Sequence, residues 1–268
     1  MEQLMQKSTV RSNRADALGD RMKAYERIET EKRFAPNNIL YVRLDGRGFS
    51  KFTKGMERPY DIRMSRLMQE TTAYLVDEFN ATVGLVQSDE ISLIILNEYG
   101  SPAAFDAKVQ KLVSTLAASC TAYFNANLHR LIPEKFNKGR LPTFDCRIFA
   151  VPSEVEASNA ILWRENDAIK NSVSMLAQHH FSHKELQNKN QSTMIDMLKT
   201  QRSIIWENEP RFFKSGTIFK RVQYEKESEY NNEKVIRTKI DKVDKVLGEL
   251  PLEERVQLVM SKYFESNP

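Results

Sequence analysis

Asp45 and the pair Asp89-Glu90 are the acids of this chain best placed to do chemistry. Asp45 closes the apolar, β-rich run Ile39-Leu40-Tyr41-Val42-Arg43-Leu44 and precedes Gly46, so the run reads as a buried strand that delivers a carboxylate to its C-terminal edge. Asp89 and Glu90 lie in Gln87-Ser88-Asp89-Glu90, between two β-rich halves, Val83 to Val86 and Ile91 to Leu96. That pattern fits a tight hairpin with both acids at its tip. If the hairpin lies beside the strand, Asp45 and Asp89 converge. Two converging carboxylates are what an oxygen-liganded Mg²⁺ requires, because this hard cation takes one or two protein carboxylates and fills its remaining positions with phosphate and water. Singly, either acid is an ordinary turn residue; the pair carries the metal reading. Gly46 and Gly48 flank Arg47 and let a backbone approach a triphosphate closely, Arg47 being otherwise a surface ion-pair partner.

The elements that must position these acids follow from the apolar spacing. Gly19-Asp20 opens a helix with Met22, Tyr25 and Ile28 on one face, ending by Pro36; residues 1 to 18 read as a loose arm. Pro59-Tyr60-Asp61 opens a second helix through Met64, Leu67, Met68, Leu75, Val76 and Phe79, its methionines serving as core filler. After the hairpin, Ser101-Pro102 starts a long helix through Val109, Leu112, Leu116 and Tyr123 to about Leu131, and Phe144 to Val151 forms a fourth strand. The order strand, helix, strand, strand, helix, strand is the split βαβ, ferredoxin-like pattern, βαββαβ, of an α+β fold. Ser153-x-x-Glu156 resembles a capping box at the head of a further helix through Ala160, Ile161, Trp163, Ile169 and Val173. Phe212 to Val222 reads as a short hairpin, residues 223 to 245 as a solvated, mixed-charge flap, and Leu252 to Phe264 as a closing helix. Residues 1–152 are thus an arm and catalytic core, and 153–268 a helical and hairpin region packed on it as one unit.

The motifs RLDGRGFSKF (Arg43 to Phe52), RPYD (Arg58 to Asp61) and QSDEISLI (Gln87 to Ile94) closely resemble the signature of the tRNA-His guanylyltransferase family and its guanylyltransferase-like relatives, the 3′-to-5′ RNA polymerases. The resemblance continues through FDCRIFAVPS (Phe144 to Ser153), WREND (Trp163 to Asp167), FSHKEL (Phe181 to Leu186) and FFKSGTIFKR (Phe212 to Arg221), covering roughly residues 20 to 221. It implies a polymerase/cyclase-type palm with two Mg²⁺ ions ~3.5 to 4 Å apart, one activating a hydroxyl and the other stabilising pyrophosphate. On that resemblance Asp45 and Asp89 bridge both metals with the Gly46 carbonyl. Asp45, Gly46, Arg47, Gly48, Phe49, Ser50, Ser88 and Asp89 hold the nucleoside triphosphate, and Glu90 is a supporting acid. His183 and Lys184 are implied contacts to nucleotide or to the tRNA 5′ end. ATP and GTP are the implied activating and incoming nucleotides, the tRNA acceptor stem the implied partner, and a homotetramer the implied assembly.

Lys51, Lys54, Arg58, Lys108 and Lys111 are candidates for phosphate contacts, each weighed against a merely solvated cation. His179, His180 and His183 cluster in sequence, but zinc wants four ligands and no fourth has the spacing. One stretch departs from the family pattern: where eukaryotic guanylyltransferases read like HINNLYNT, Ile169 to Met175 here reads IKNSVSM. The departure favours the guanylyltransferase-like branch, and with it template-dependent addition of nucleotides to the 5′ end of tRNA, for repair or maturation. The alternative is a tRNA-His guanylyltransferase adding a single G at position −1, and a third is a nucleotidyl cyclase on the same palm. A non-enzymatic RNA-binding module is disfavoured because Asp45, Asp89 and Glu90 repel phosphate in the absence of metal.

Composition agrees with a folded enzyme: 268 residues, 41% of them hydrophobic, can bury a substantial core. A formal charge of +4 permits a polyanionic partner. Cys120 and Cys146 lack C-x-x-C spacing and read as plain thiols. No run reaches the ~20 apolar residues of a membrane span, and Met1 to Asp20 has no secretory h-region, so the cytoplasm is the expected compartment.

Overall fold

Leu40, Val42 and Leu44 alternate with Tyr41, Arg43 and Asp45, which makes Ile39–Arg47 (β1) a strand with two different faces. The computed structural model describes residues 17–97, 104–137, 141–227 and 234–264; the start of the long helix expected at Ser101-Pro102 and most of the N-terminal arm lie outside them. Helix α1 covers residues 17–30, and the single turn Phe49–Phe52 (α2) follows β1. Ile62–Glu78 (α3) begins where Asp61 accepts hydrogen bonds from the backbone N–H groups of Arg63 (2.9 Å) and Met64 (3.4 Å), as an N-cap should. Val83–Gln87 (β2) and Glu90–Leu96 (β3) form the hairpin, and Val109–Leu131 (α4) buries Leu112, Leu116, Cys120, Phe124 and Leu128 at four-residue spacing. The turn Pro133–Phe136 (α5) leads to Thr143–Val151 (β4). Glu154–His180 (α6) starts on the Ser153 hydroxyl, which accepts from the Glu156 N–H at 3.2 Å.

The fold is α+β with one mixed sheet in the order β4-β1-β3-β2-β5-β6, where β5 is Thr217–Glu227 and β6 is Lys234–Val243. The first four strands are antiparallel in the order expected of two interleaved βαβ units. Helices α3 and α4 cover the face carrying Leu40, Val42 and Leu44. The opposite face, carrying Tyr41, Val83, Leu85 and Ile218, is covered by α6 and by Leu252–Met260 (α10). Burying both faces of the central strands is the main stabilisation, at roughly 25 cal/mol per Å² of apolar surface. Beyond the sheet, His183–Leu186 (α7) and Gln191–Arg202 (α8) pack with the end of α6 around Leu176, Phe181 and Leu198.

Three expectations for the C-terminal region are corrected. Phe212 to Val222 is not a hairpin: Arg211–Lys214 (α9) is a helical turn, and β5 then joins the sheet beside β2. The mixed-charge stretch after residue 222 continues β5 and returns as β6, in register from Ile218↔Val243 to Glu227↔Lys234. Most of β6 faces water on both sides, so the hydrophobic alternation that signals a strand is missing there. The last helix stops at Met260, and Tyr263–Phe264 (β7) instead pairs with β5 in parallel. Buried Lys220 links these parts by donating to the carbonyls of Leu258 and Ser261 at the end of α10.

Candidate active site

The strand and hairpin meet as their residue types require. Asp45 pairs across β1–β3 with Glu90, and the Gly46 N–H donates to the Asp89 carbonyl at 3.1 Å, which fixes the hairpin tip against the end of β1. The turn is the two residues Ser88-Asp89, with Ser88 in the left-handed region at φ 48°, as a two-residue hairpin demands. Only Asp89 therefore sits at the tip. Glu90 is the first residue of β3, and its carboxylate is buried and taken by Arg164 of α6, at 2.6 Å from Nε and 2.8 Å from Nη2. Arg164 also donates to Asp167 at 2.9 Å.

Two residues beyond Asp45, β1 ends at Arg47 and the chain turns into α2. A Cβ on Gly46 would stand 2.4 Å from the Phe49 ring, so glycine there lets Phe49 fold back over the strand and pack against Phe52, Phe124 and Phe144. Gly48, at φ 67°, makes the bend that opens α2.

The end of β1 and the hairpin tip close one end of a cavity of about 580 Å³. Asp45, Ser88 and Asp89 stand there with Phe49 and Ser50 from α2, while Arg58 lies at an exposed position on its edge. Tyr60, Phe212 and Phe213 form an aromatic wall, with Tyr60 4.7 Å from Phe213 and 5.1 Å from Phe212 between ring centres. The Tyr60 hydroxyl donates to Glu209 at 3.1 Å and ties the two loops together. From α6 come Arg164, Asn171, Ser174 and Met175, so the IKNSVSM stretch faces the two aspartates across the cavity.

Electrostatics separate Asp45 and Asp89 from the other acids of the wall. Asp61 is held below the usual carboxylate range by Arg63 beside it, at 2.7 Å. Among the described residues neither Asp45 nor Asp89 has an ion-pair partner. Burial first, then the negative charge of Asp45, push the Asp89 carboxyl up to about 6, against the hydrogen bond it accepts from Ser88 at 3.2 Å. Two uncompensated, mutually repelling carboxylates at the end of a cavity fit a divalent cation. Asp45 and Asp89 are the side chains that could hold it.

Other expected contacts lie elsewhere. Arg47 and Gly48 are exposed at the end of β1 and do not line the cavity. Lys51 and Lys54 are exposed on and after α2. Lys108 and Lys111 border a separate cleft of about 530 Å³ beside Glu26 and Thr30 of α1. His183 and Lys184 sit on α7, away from the cavity, where Ser182 and Glu185 of the same FSHKEL motif form a reciprocal capping box. Among the described residues no cluster of three or more His, Cys, Asp or Glu can hold a metal. Cys120 and Cys146 are both free thiols raised above the ordinary value by burial. The residues that sequence reasoning left without a role, Tyr60, Arg164, Phe212 and Phe213, lie inside RPYD, WREND and FFKSGTIFKR, and that recurrence was the available signal.

The family model described as tRNAHis guanylyltransferase matches residues 19–152, the segment that contains Asp45, the hairpin and β4. The chain belongs to the tRNAHis guanylyltransferase family. Members of this family are nucleotidyltransferases, and the chain is an enzyme of that class. An uncharacterized protein of Acanthamoeba polyphaga mimivirus is 32% identical over 227 residues, 77% of each chain. The tRNA(His) guanylyltransferase of Debaryomyces hansenii is 29% identical over 215 residues, 75% of this chain and 80% of its own. A bacterial tRNA(His) guanylyltransferase-like protein solved in complex with ATP superposes with a TM-score of 0.75 at 32% identity, covering 90% of this chain and 98% of that one. A similar bacterial protein in complex with GTP gives 0.69 at 30% identity, covering 91% and 100%. Within the guanylyltransferase family, then, likeness extends past the matched segment into α6 and the second half of the sheet. No helix among the described residues is long and apolar enough to cross a membrane.

Proposed function

We propose that this chain adds nucleotide to the 5′ end of tRNA from a nucleoside triphosphate held in the Asp45–Asp89 cavity of a polymerase/cyclase-type palm. The observation that carries the reading is the pair of aspartates at strand and hairpin ends, without an ion-pair partner among the described residues, the Asp89 pKa raised first by burial and then by Asp45, in a cavity that admits a nucleotide. Asp45 and Asp89, with the Gly46 carbonyl that the family resemblance implies, would hold a Mg²⁺ ion, which would supply neutralisation of triphosphate charge and activation of a hydroxyl. The chain's own residues do the rest. Ser50 and Ser88 offer hydroxyl donors near the carboxylates, Arg58 brings a cation to the edge, and Tyr60, Phe212 and Phe213 offer ring surface at the far wall. Glu90 acts through Arg164, which holds the start of β3 and with it Asp89. ATP and GTP, bound by the two bacterial neighbours, are the nucleotides we assign to 5′ activation and to addition.

Relatives named tRNA(His) guanylyltransferase favour addition of a single G to tRNA-His over the templated polymerisation expected from sequence. A specific observation keeps templated addition as a second reading. The IKNSVSM stretch that departs from the eukaryotic pattern contributes Asn171, Ser174 and Met175 to the cavity wall, and a changed wall changes how an incoming nucleotide is placed. The test presents tRNAs lacking the first 5′ nucleotide, with each base opposite the gap, alongside full-length tRNAs, each with four labelled triphosphates. G addition confined to tRNA-His, whatever base lies opposite, supports the first reading. Addition that follows complementarity supports the second, since misplacing a reacting atom by ~1 Å costs ~100-fold in rate. No incorporation into any tRNA overturns both, and release of cyclic nucleotide from triphosphate alone puts a cyclase in their place. We assign the active form to a homotetramer, supported by Leu18, Met22, Tyr25 and Ile28, which α1 exposes to solvent; a monomer by light scattering removes that assignment.

A further inference from the structure

Strand β4 is an edge strand, and next to Asp45 the sheet carries a face that α6 only partly covers. In the β1–β4 register Asp45 stands opposite Asp145, Arg43 opposite Arg147 and Tyr41 opposite Phe149, so these pairs project from one side of the sheet. Arg43 is one two-residue strand step, ~6.6 Å, from Asp45. Helix α6 buries Tyr41 but leaves Phe149 at 44% and Trp163 at 50% exposure. Both exposed rings are fixed from behind. Phe149 packs on Tyr41 with centroids 4.9 Å apart, and the Trp163 ring carries the guanidinium of Arg43 at 5.5 Å and that of Arg164 at 4.7 Å. Among the described residues Arg147 is paired only with Asp145, at 3.6 Å, and both side chains are about half exposed, so that pairing contributes little and yields readily to a phosphate.

Immobilised, half-exposed aromatic rings interleaved with arginines, leading to a catalytic carboxylate, are the elements of a single-stranded nucleic-acid platform. We infer that the β1–β4 face formed by Arg43, Arg147, Phe149 and Trp163 holds the unpaired end nucleotides of the RNA substrate, bases on the rings and phosphates on the arginines, and leads the RNA terminus to Asp45. The inference rests on the reading that the chain acts at the 5′ end of tRNA, and adds to it the surface that presents the substrate. Exposed rings interleaved with Arg43 and Arg147, continuous with the aspartates, select RNA over a second protein chain as the occupant.

The test uses the full chain, a fluorescein-labelled tRNA transcript lacking its first 5′ nucleotide, and the variants Arg147→Gln, Trp163→Ala and Trp163→Phe. Fluorescence anisotropy across 50 to 200 mM salt is read beside binding of a fluorescent ATP analogue and light-scattering mass. Trp163→Ala is expected to weaken RNA binding about 10-fold and Trp163→Phe to restore most of it. Arg147→Gln is expected to weaken binding several-fold and to lower the slope of log K against log salt by about 0.7. ATP-analogue affinity and mass stay as in the wild type. RNA binding within twofold of wild type in both Arg147→Gln and Trp163→Ala overturns the inference, as does an equal loss of ATP-analogue binding. A change in mass overturns it too, because the face is then an interface between copies. Wild-type protein that adds no nucleotide to any tRNA, while the variants still lose RNA affinity, refutes the proposed activity and leaves this surface standing. Active wild type with unaffected variants refutes the surface alone.

Discussion

Replacing Asp89 by asparagine should stabilise the metal-free protein, although it removes a carboxylate we assign to the reaction. The Asp89 carboxyl stands at about 6 in the folded chain against 3.8 ordinarily. An acid raised on folding costs stability when ionised: the penalty is absent below about pH 4, grows as the pH rises toward 6 and is complete above it. The interval corresponds to ~3 kcal/mol at most, and solvent screening on the open side of the cavity lowers it to ~1–3 kcal/mol. An unfolding entropy of ~2.1 cal/mol/K per residue over 268 residues turns this into ~2–5 °C. Melting curves of wild type and Asp89→Asn in chelator should therefore differ by that amount at pH 8, the variant higher, and converge by pH 4. Mg²⁺ at 100 times its Kd should then raise the wild type by ~2.7 kcal/mol, ~5 °C, and leave the variant unmoved. A variant that melts lower than wild type at pH 8 in chelator, or Mg²⁺ raising both equally, refutes the account of two repelling carboxylates awaiting a cation.

Three further outcomes are expected. Asp45→Asn should lower nucleotide incorporation at least ~100-fold at saturating Mg²⁺ with the melting temperature at or above wild type; near-normal turnover would remove Asp45 from the site. Arg164→Ala leaves the buried Glu90 carboxylate unpaired, a loss of ~3–5 kcal/mol or ~5–9 °C. The double variant Glu90→Gln/Arg164→Met should recover most of it, and strictly additive losses would show that the pair is not coupled. Burial lowers Lys220 from 10.5 to about 7. Because the unfolded chain then holds a proton the folded chain has released, stability should rise from pH 7 toward 10 and this rise should disappear in Lys220→Met, which urea midpoints measure.

What the sequence disclosed follows how locally each feature is encoded. β1, the Asp45 near its C-terminal end and the helix opening at Asp61 are read from adjacent residues, and all three form, β1 running two residues past Asp45 to Arg47. The hairpin was legible, but its acids were not separable: a two-residue turn leaves Asp89 at the tip and turns Glu90 inward, and the residue that receives Glu90 is Arg164, far along the chain. Ser153 caps α6 as expected, yet the reciprocal box forms at Ser182 and Glu185, inside a motif read as a substrate contact. The β5–β6 ribbon escaped because β6, mostly wetted on both faces, scatters charges among its apolar residues without alternation, the pattern of a loop. The packing of 153–268 on the core was expected, but not which face it takes: α6 and α10 cover the second face of the sheet through Ala157, Ile161, Leu258 and Val259, whose partners Tyr41, Val83 and Leu85 lie far back in the chain.

The register of the sheet also sets a timetable for folding. The β2–β3 hairpin closes over two residues, but Leu44 must find Cys146 and Leu85 must find Ile218, each more than a hundred positions along the chain. Loop-closure entropy puts such pairings late, and a high contact order makes them slow. During synthesis the strands bearing both aspartates therefore leave the ribosome long before β5 exists to cover the open edge of β2. Until it arrives, the nascent chain carries a bare, largely apolar strand edge beside its two aspartates, a surface for which chaperones and neighbouring nascent chains compete.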